Sequence, residues 1–373
     1  MCDKSLEKTV EALKEINFEG DIIKVTPFGS GIINDTFLVV CNNKNKYILQ
    51  KINNSIFKNI NQLMENYCNI CDYLKDIISK RGGDVDRQTI TVVPTKDGKS
   101  FYCDSMGNYW RAIKFINNTV NYDVSESPQD FYKVGKTFGE FQNMLSDYNA
   151  EKLYETIPDF HNTRERYKQF IKAVGNNKAN KLDKAIIEVN FIIDRKDDTS
   201  ILLDMLEKGE LPLRVTHNDT KISNILMDEK TKEGICVIDL DTIMPGLALY
   251  DFGDAIRSGA THTLEDEKDL SKVFIDLEYF EAFTKGFLEK TANSLTKKEI
   301  ELLPMAVKVI TLEQGIRFLT DYLDGDVYYK TSYNDHNIDR ARTQLKLVKD
   351  IEEKLNQMKD IVNKYLINNI VEV

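Results

Sequence analysis

No stretch of the chain approaches the roughly eighteen uninterrupted apolar residues that a membrane-crossing helix needs. The opening segment, MCDKSLEKTVEALKEINFEG, carries acidic residues and no apolar core. It does not read as a secretory signal, and a cytoplasmic home is expected. Positive charge is in deficit, with 50 Lys+Arg against 60 Asp+Glu and a formal charge of −10. That balance argues against a nucleic-acid or anionic-membrane surface, so any anionic ligand must be caught locally. Cysteines are scattered, and only Cys68 and Cys71 form a C-x-x-C pair. With no second pair or nearby His to complete a zinc site, free thiols are expected. Neither G-x-S-x-G nor H-E-x-x-H occurs, which leaves hydrolase and zinc-enzyme readings without support.

What is present is an ordinary globular composition over 373 residues, 42% hydrophobic and 29% charged. That length suits two lobes. IIKVTPF, INDTFLVV, NKYILQKI, QTITVVPT and NYWRAIKFI read as five short strands of an antiparallel sheet, with one helix over 55–80 after the third. Beyond Asn117-Asn118 the segments 129–210 and 265–370 read as amphipathic helices, around a strand-rich island at 214–240. The expected fold is α+β and two-lobed: a small antiparallel-sheet lobe over 1–116 that binds nucleotide, then a larger helical lobe over 117–373 carrying the catalytic and metal loops and the substrate pocket. The last helix, about 341–367, has an apolar stripe that suits packing inside that lobe, and a monomer is expected.

The most specific segment is RVTHNDTKISNILMDEKTKEGICVIDLDTIMPGLALYDFGDAIR. His217, Asp219 and Asn224 stand in the H-x-D-x-x-x-x-N spacing of a kinase catalytic loop. Asp219 would accept the proton of an attacking hydroxyl, and Asn224 would hold a magnesium ion on the phosphates. NILMD, a polar turn and ICVIDL read as a hairpin. A turn centred near residues 231 and 232 sets Asn224 opposite Asp239, ~5 Å away, close enough for both to hold one cation. Asp251 lies in a literal D-F-G, yet it and Asp254 follow Pro245-Gly246 at the start of a helix and read as structural carboxylates bracing the loop. His217 reads as a buried brace. Asp241 is open to a second metal, the substrate or an indirect role. Lys221, two residues past the base, can neutralise the moving phosphoryl group.

In the sheet lobe, Gly29, Ser30 and Gly31 form a turn that can lay backbone N–H groups over phosphates. On the third strand, register puts Gln50 where kinases place a phosphate-binding lysine, with Lys51 facing the other way; either can serve. Phe115 joins the nucleotide contacts. Glu65 is the only acidic residue well placed in the helix, where a solvated role suits it best.

THNDTK-x-x-N, VIDLDT-x-MPG, DFGD, GSGIINDTF, YILQKIN and GIRFLTDYLDGDVYYK together resemble the N-acetylhexosamine 1-kinases of the aminoglycoside phosphotransferase superfamily, over about residues 20–350. The resemblance implies a protein-kinase-like fold and transfer of the ATP γ-phosphate to the anomeric hydroxyl of N-acetylglucosamine or N-acetylgalactosamine. It implies Asp219 as base, Asn224 and Asp239 as Mg2+ ligands, and sugar contacts from Asp219, Arg317 and Asp321. Ile32 departs from the His that relatives often carry after the second glycine. A kinase of another small alcohol (an aminoglycoside, choline or another sugar) and a nucleotide-binding pseudoenzyme are the alternatives.

Overall fold

The computed structural model describes residues 11–29 and 33–371. Backbone proximity divides the chain into two units. The first holds the described residues up to Val120 with Leu153–Pro158 and Leu226–Ile243; the second holds Asn121–Lys152, Asp159–Ile225 and the chain from Met244 onward.

In the first unit the main sheet contains β1 (Ile22–Pro27), β2 (Asp35–Cys41), β3 (Lys46–Ile52), β4 (Val92–Val93), β5 (Tyr102–Cys103) and β6 (Tyr109–Lys114). The order is β1-β2-β3-β6-β4, with β5 also pairing β6, and all pairs are antiparallel. Alternation sets one face: Phe37, Val39 and Cys41 of β2 and Tyr47 and Leu49 of β3 turn to one side and bury against Trp110, Ala112, Ala12 and Ile16. The sheet has one strand more than the sequence suggests, because β5 is too short for alternation to show. Helix α1 (Ile60–Lys80) follows β3 as expected. Its buried stripe Ile60, Leu63, Met64, Tyr67, Ile70, Cys71 and Leu74 matches helical spacing. Asn59 caps its start by accepting from Gln62 N, and Gly82, at φ +71°, turns the chain out of its end.

The strand island resolves into four pieces. Besides β7 (Thr119–Val120), the structure has β8 (Arg214–Thr216), β9 (Ile225–Asp228), β10 (Gly234–Val237) and β11 (Met244–Gly246). The β9–β10 hairpin pairs with β7 in a three-stranded sheet, and β8 pairs with β11. The hairpin turn is one residue earlier than its sequence suggests. Asp228 N donates to Glu233 O at 2.8 Å, which centres the turn between Lys230 and Thr231, so the hairpin register does not set Asp239 opposite Asn224 as the sequence suggests. Asp228 Oδ1 causes the shift by accepting from the amides of Lys230 (2.9 Å) and Thr231 (2.8 Å), with Lys232 in the left-handed region.

The second unit is built from α2 (Pro128–Met144), α3 (Thr163–Asn176), α4 (Ala248–Gly259), α5 (Leu277–Thr291), α6 (Lys297–Asp324) and α7 (His336–Val371), with shorter helical turns between. Leu312, Ile316, Leu319 and Leu323 of α6 form a core with Phe170 and Ala173 of α3 and Ile338, Leu345 and Val348 of α7. The α7 stripe Val348, Ile351, Met358 and Val362 is buried, so this helix packs within its own unit. The five described cysteines are free thiols. Among the described residues no helix is long and apolar enough to cross a membrane.

Candidate active site

Asp219 sits in the loop between β8 and β9, and that loop is pinned from below by α4. Asp251, 4% exposed, accepts from His217 N (2.9 Å) and Asn218 N (2.7 Å), while its own carbonyl accepts from Thr220 Oγ1 at 2.6 Å. Asp254 Oδ2 accepts from Thr220 N at 3.1 Å, and its Oδ1 pairs with Arg257 at 2.7 Å. Burial pushes the Asp251 carboxyl above its ordinary value. Burial acts on Asp254 in the same sense, but the Arg257 guanidinium outweighs it and holds that carboxyl below the usual range. The literal D-F-G, which begins in the first turn of α4, therefore braces the loop. His217 is fully buried between Phe138 and Phe141, and its Nδ1 accepts from Asp219 N at 3.2 Å.

The Asp219 carboxylate itself is held by two neighbours. Asn224 Nδ2 donates to Asp219 O (2.8 Å) and Oδ2 (3.2 Å), and Lys221 Nζ lies 3.0 Å from Oδ2. The Asn224 nitrogen is thus committed, and its oxygen is the atom it offers a cation. Asn218, just before Asp219, has φ +65°, in the left-handed region that asparagine adopts more readily than most non-glycine residues.

In the first unit Asp239 follows β10 and is also left-handed, at φ +62°. The turn after it is clamped from three sides. Asp241, 3% exposed, pairs with Arg111 of β6 and accepts from Asn34 Nδ2 at 2.6 Å. Asn66 of α1, fully buried, donates to Ile243 O at 3.1 Å. Both Asp241 oxygens are engaged by protein groups, which favours its indirect role. Asn34 Oδ1 also accepts from Asn53 N at 3.0 Å, so the residue closing the glycine turn is tied to the end of β3.

Gln50 lies opposite Arg111, accepting from Arg111 Nε at 3.0 Å and donating to Thr36 Oγ1 at 3.3 Å. Lys51 faces the other side, opposite Trp110. The cation on the Gln50 face is therefore Arg111, 1% exposed, its guanidinium 4.4 Å from the Tyr67 ring. Burial alone would lower its pKa, yet Asp241 outweighs burial and raises it. Sequence reading missed Arg111; the signal was a charged residue between Trp110 and Ala112, in the middle of a strand whose other charge, Lys114, stands at its end. Gly29 is left-handed at φ +72°, while Ser30, Gly31 and Ile32 lie outside the described residues. The Phe115 ring stands 5.9 Å from Phe28, edge to face, a second residue that sequence reading passed over. Glu65 is exposed, its nearest hydrogen-bond partner the Tyr154 hydroxyl at 3.5 Å.

In the second unit Arg317 of α6 donates to Gln314 Oε1 at 3.1 Å and lies between two rings, Phe160 at 5.5 Å and Tyr329 at 5.8 Å. Asp321, one turn on, accepts from the amides of Val327, Tyr328 and Tyr329 and from Asn337 Nδ2, so it shapes the loop that carries the two tyrosines.

Residues 24–272 match the phosphotransferase enzyme family, and the chain belongs to it. Among solved structures, a microcompartment-associated aminopropanol kinase shares 17% identity at a TM-score of 0.61, with 95% of this chain and 98% of that one covered. An aminoglycoside phosphotransferase from Alicyclobacillus acidocaldarius gives 10% identity and 0.60, with 93% and 94% covered. An amicoumacin kinase in complex with AMP-PNP and Ca2+ gives 14% and 0.57, with 94% of each chain covered. At such identities the likeness is one of fold: an antiparallel-sheet N-terminal part and a helical C-terminal part, as in protein-kinase-like phosphotransferases.

Proposed function

We propose that this chain, a cytoplasmic monomer, transfers the γ-phosphate of ATP to the anomeric hydroxyl of an N-acetylhexosamine. The observation that carries the transfer is the Asp219 carboxylate, fixed by Asn224 and Lys221 in a loop whose amides are pinned by Asp251 and Asp254. Held this way, Asp219 orients the acceptor hydroxyl and takes its proton, and Lys221 offsets the charge that develops on the transferred group. Asn224 and Asp239 would hold Mg2+, which neutralises phosphate charge when bound. The Gly29 turn, the Gln50/Lys51 strand and the Phe28–Phe115 ring pair serve the nucleotide.

Arg317 and its surroundings favour an oxygen-rich acceptor over an amino alcohol. Burial, then the neighbouring Arg317 guanidinium, lowers the pKa of Arg166, so two cations share this region. The buried Glu313 is already taken by His161 at 3.0 Å and Thr163 at 2.5 Å. Aromatic faces of Phe160 and Tyr329 suit the apolar face of a sugar ring, with Arg317 and Asp321 positioning the sugar and the loop that holds it.

A panel assay of ATP turnover tests this reading. N-acetylglucosamine and N-acetylgalactosamine should be phosphorylated with kcat/KM at least tenfold above choline, ethanolamine and 1-aminopropan-2-ol. Faster turnover of the amino alcohols, the substrate type named for the aminopropanol, choline and ethanolamine kinases of this fold, would replace the hexosamine.

A further inference from the structure

We propose that His161 binds the acceptor, presenting Nε2 to a hydroxyl or amide N–H of a polyhydroxylated substrate; this rests on the phosphotransferase reading above. The two ring nitrogens differ in what they meet. Nδ1 lies 3.0 Å from Glu313 Oε1, and a carboxylate can only accept, so Nδ1 carries a hydrogen; in the neutral ring Nε2 then keeps its lone pair. Glu313 is 1% exposed and its other oxygen accepts from Thr163 Oγ1 at 2.5 Å. Burial pushes the Glu313 carboxyl up, but its contacts with His161, Arg317 and Thr163 outweigh burial and hold it below its ordinary value.

Nε2 is different. It is buried, in a residue 8% exposed, and has no hydrogen-bond partner among the described residues. Buried polar atoms without partners are uncommon in folded proteins, and each one calls for a reason. The ring's surroundings supply one. Phe160 lies 4.8 Å away and Tyr250 5.0 Å away, so the imidazole is clamped in place. The same Phe160 ring carries the Arg317 guanidinium 5.5 Å from its centre, which places His161 beside the proposed sugar contacts. Tyr250 immediately precedes Asp251 in α4, so the ring contact brings His161 to the helix that carries the carboxylates beneath the Asp219 loop. An oriented hydrogen-bond acceptor between the Arg317 cluster and the base of the catalytic loop is suited to reading a substrate donor next to the reacting hydroxyl. A quaternary amino alcohol such as choline has no such second donor.

His161→Asn separates the two nitrogens, because the asparagine amide can still donate to Glu313 while nothing reaches the Nε2 position. With N-acetylglucosamine as probe, this variant should raise acceptor KM about tenfold, the worth of one neutral hydrogen bond. The KM for ATP should stay within twofold, and His161→Gln, which returns a polar group near Nε2, should recover part of the loss. A folding-independent check uses the wild type: the chain has four histidines, so the His161 Nε2 resonance can be assigned and should shift on adding N-acetylglucosamine. An acceptor KM within twofold of wild type in His161→Asn, or a resonance that ignores the sugar while the wild type phosphorylates it, overturns this inference alone. A wild type that phosphorylates choline and not N-acetylglucosamine overturns it together with the reading beneath it.

Discussion

Arg111 and Asp241 form the kind of residue pair that sequence reading sees least well. They are 130 residues apart, both nearly inaccessible, and each is costly to bury alone. Asp241 could be read as a functional carboxylate only because its guanidinium partner was not visible in the chain order. Removing one partner should be far worse than removing both. Arg111→Met should cost about 3–5 kcal/mol of stability in denaturant unfolding, and Arg111→Met/Asp241→Asn should recover at least half of that. A double variant no better than the single would show that the pair does not act as a unit. By contrast, Asp219, Lys221 and Asn224 were legible because they stand within six residues of one another and their contacts are local. His161 and Glu313 were not, since their pairing spans 152 residues and depends on how helices pack.

Among elements, five of the six strands of the main sheet and the helix after β3 could be read from periodicity. β2 and β3 alternate, and α1 carries an apolar stripe that stops before Gly82, although the helix starts at Ile60, capped by Asn59, and not at residue 55. The hairpin turn was misplaced by one residue because an Asp228 side chain that organises two backbone amides outweighs the simple centring of a polar run. The α2–α5 contact was not anticipated at all. It depends on glycines at the crossing: a Cβ on Gly135 would lie 2.3 Å from Phe283 O, and one on Gly286 would lie 2.2 Å from Tyr132 O. Backbone cannot yield as a side-chain tip can, so the helices would have to separate. Gly135→Ala and Gly286→Ala should each destabilise by about 1–3 kcal/mol despite the better helix propensity of alanine. Thermal melts showing either variant as stable as the parent would mean that the crossing is looser than described.

For the whole molecule, family membership fixes the reaction class, phosphoryl transfer, while the acceptor is argued from side chains. The formal charge of −10 matters here as well, because polyanionic ATP must approach a molecule of like sign. Local groups such as backbone amides and a divalent cation have to offset that repulsion. The central claim is that one carboxylate, Asp219, takes the proton of the acceptor while taking no part in holding the nucleotide. It is tested most directly by single-turnover phosphoryl transfer from ATP to N-acetylglucosamine in Asp219→Asn at saturating magnesium, with nucleotide affinity measured on the same sample. The account predicts ATP binding within about threefold of wild type and transfer slower by about 10²–10⁴-fold. Transfer at near-wild-type speed in that folded variant would contradict it.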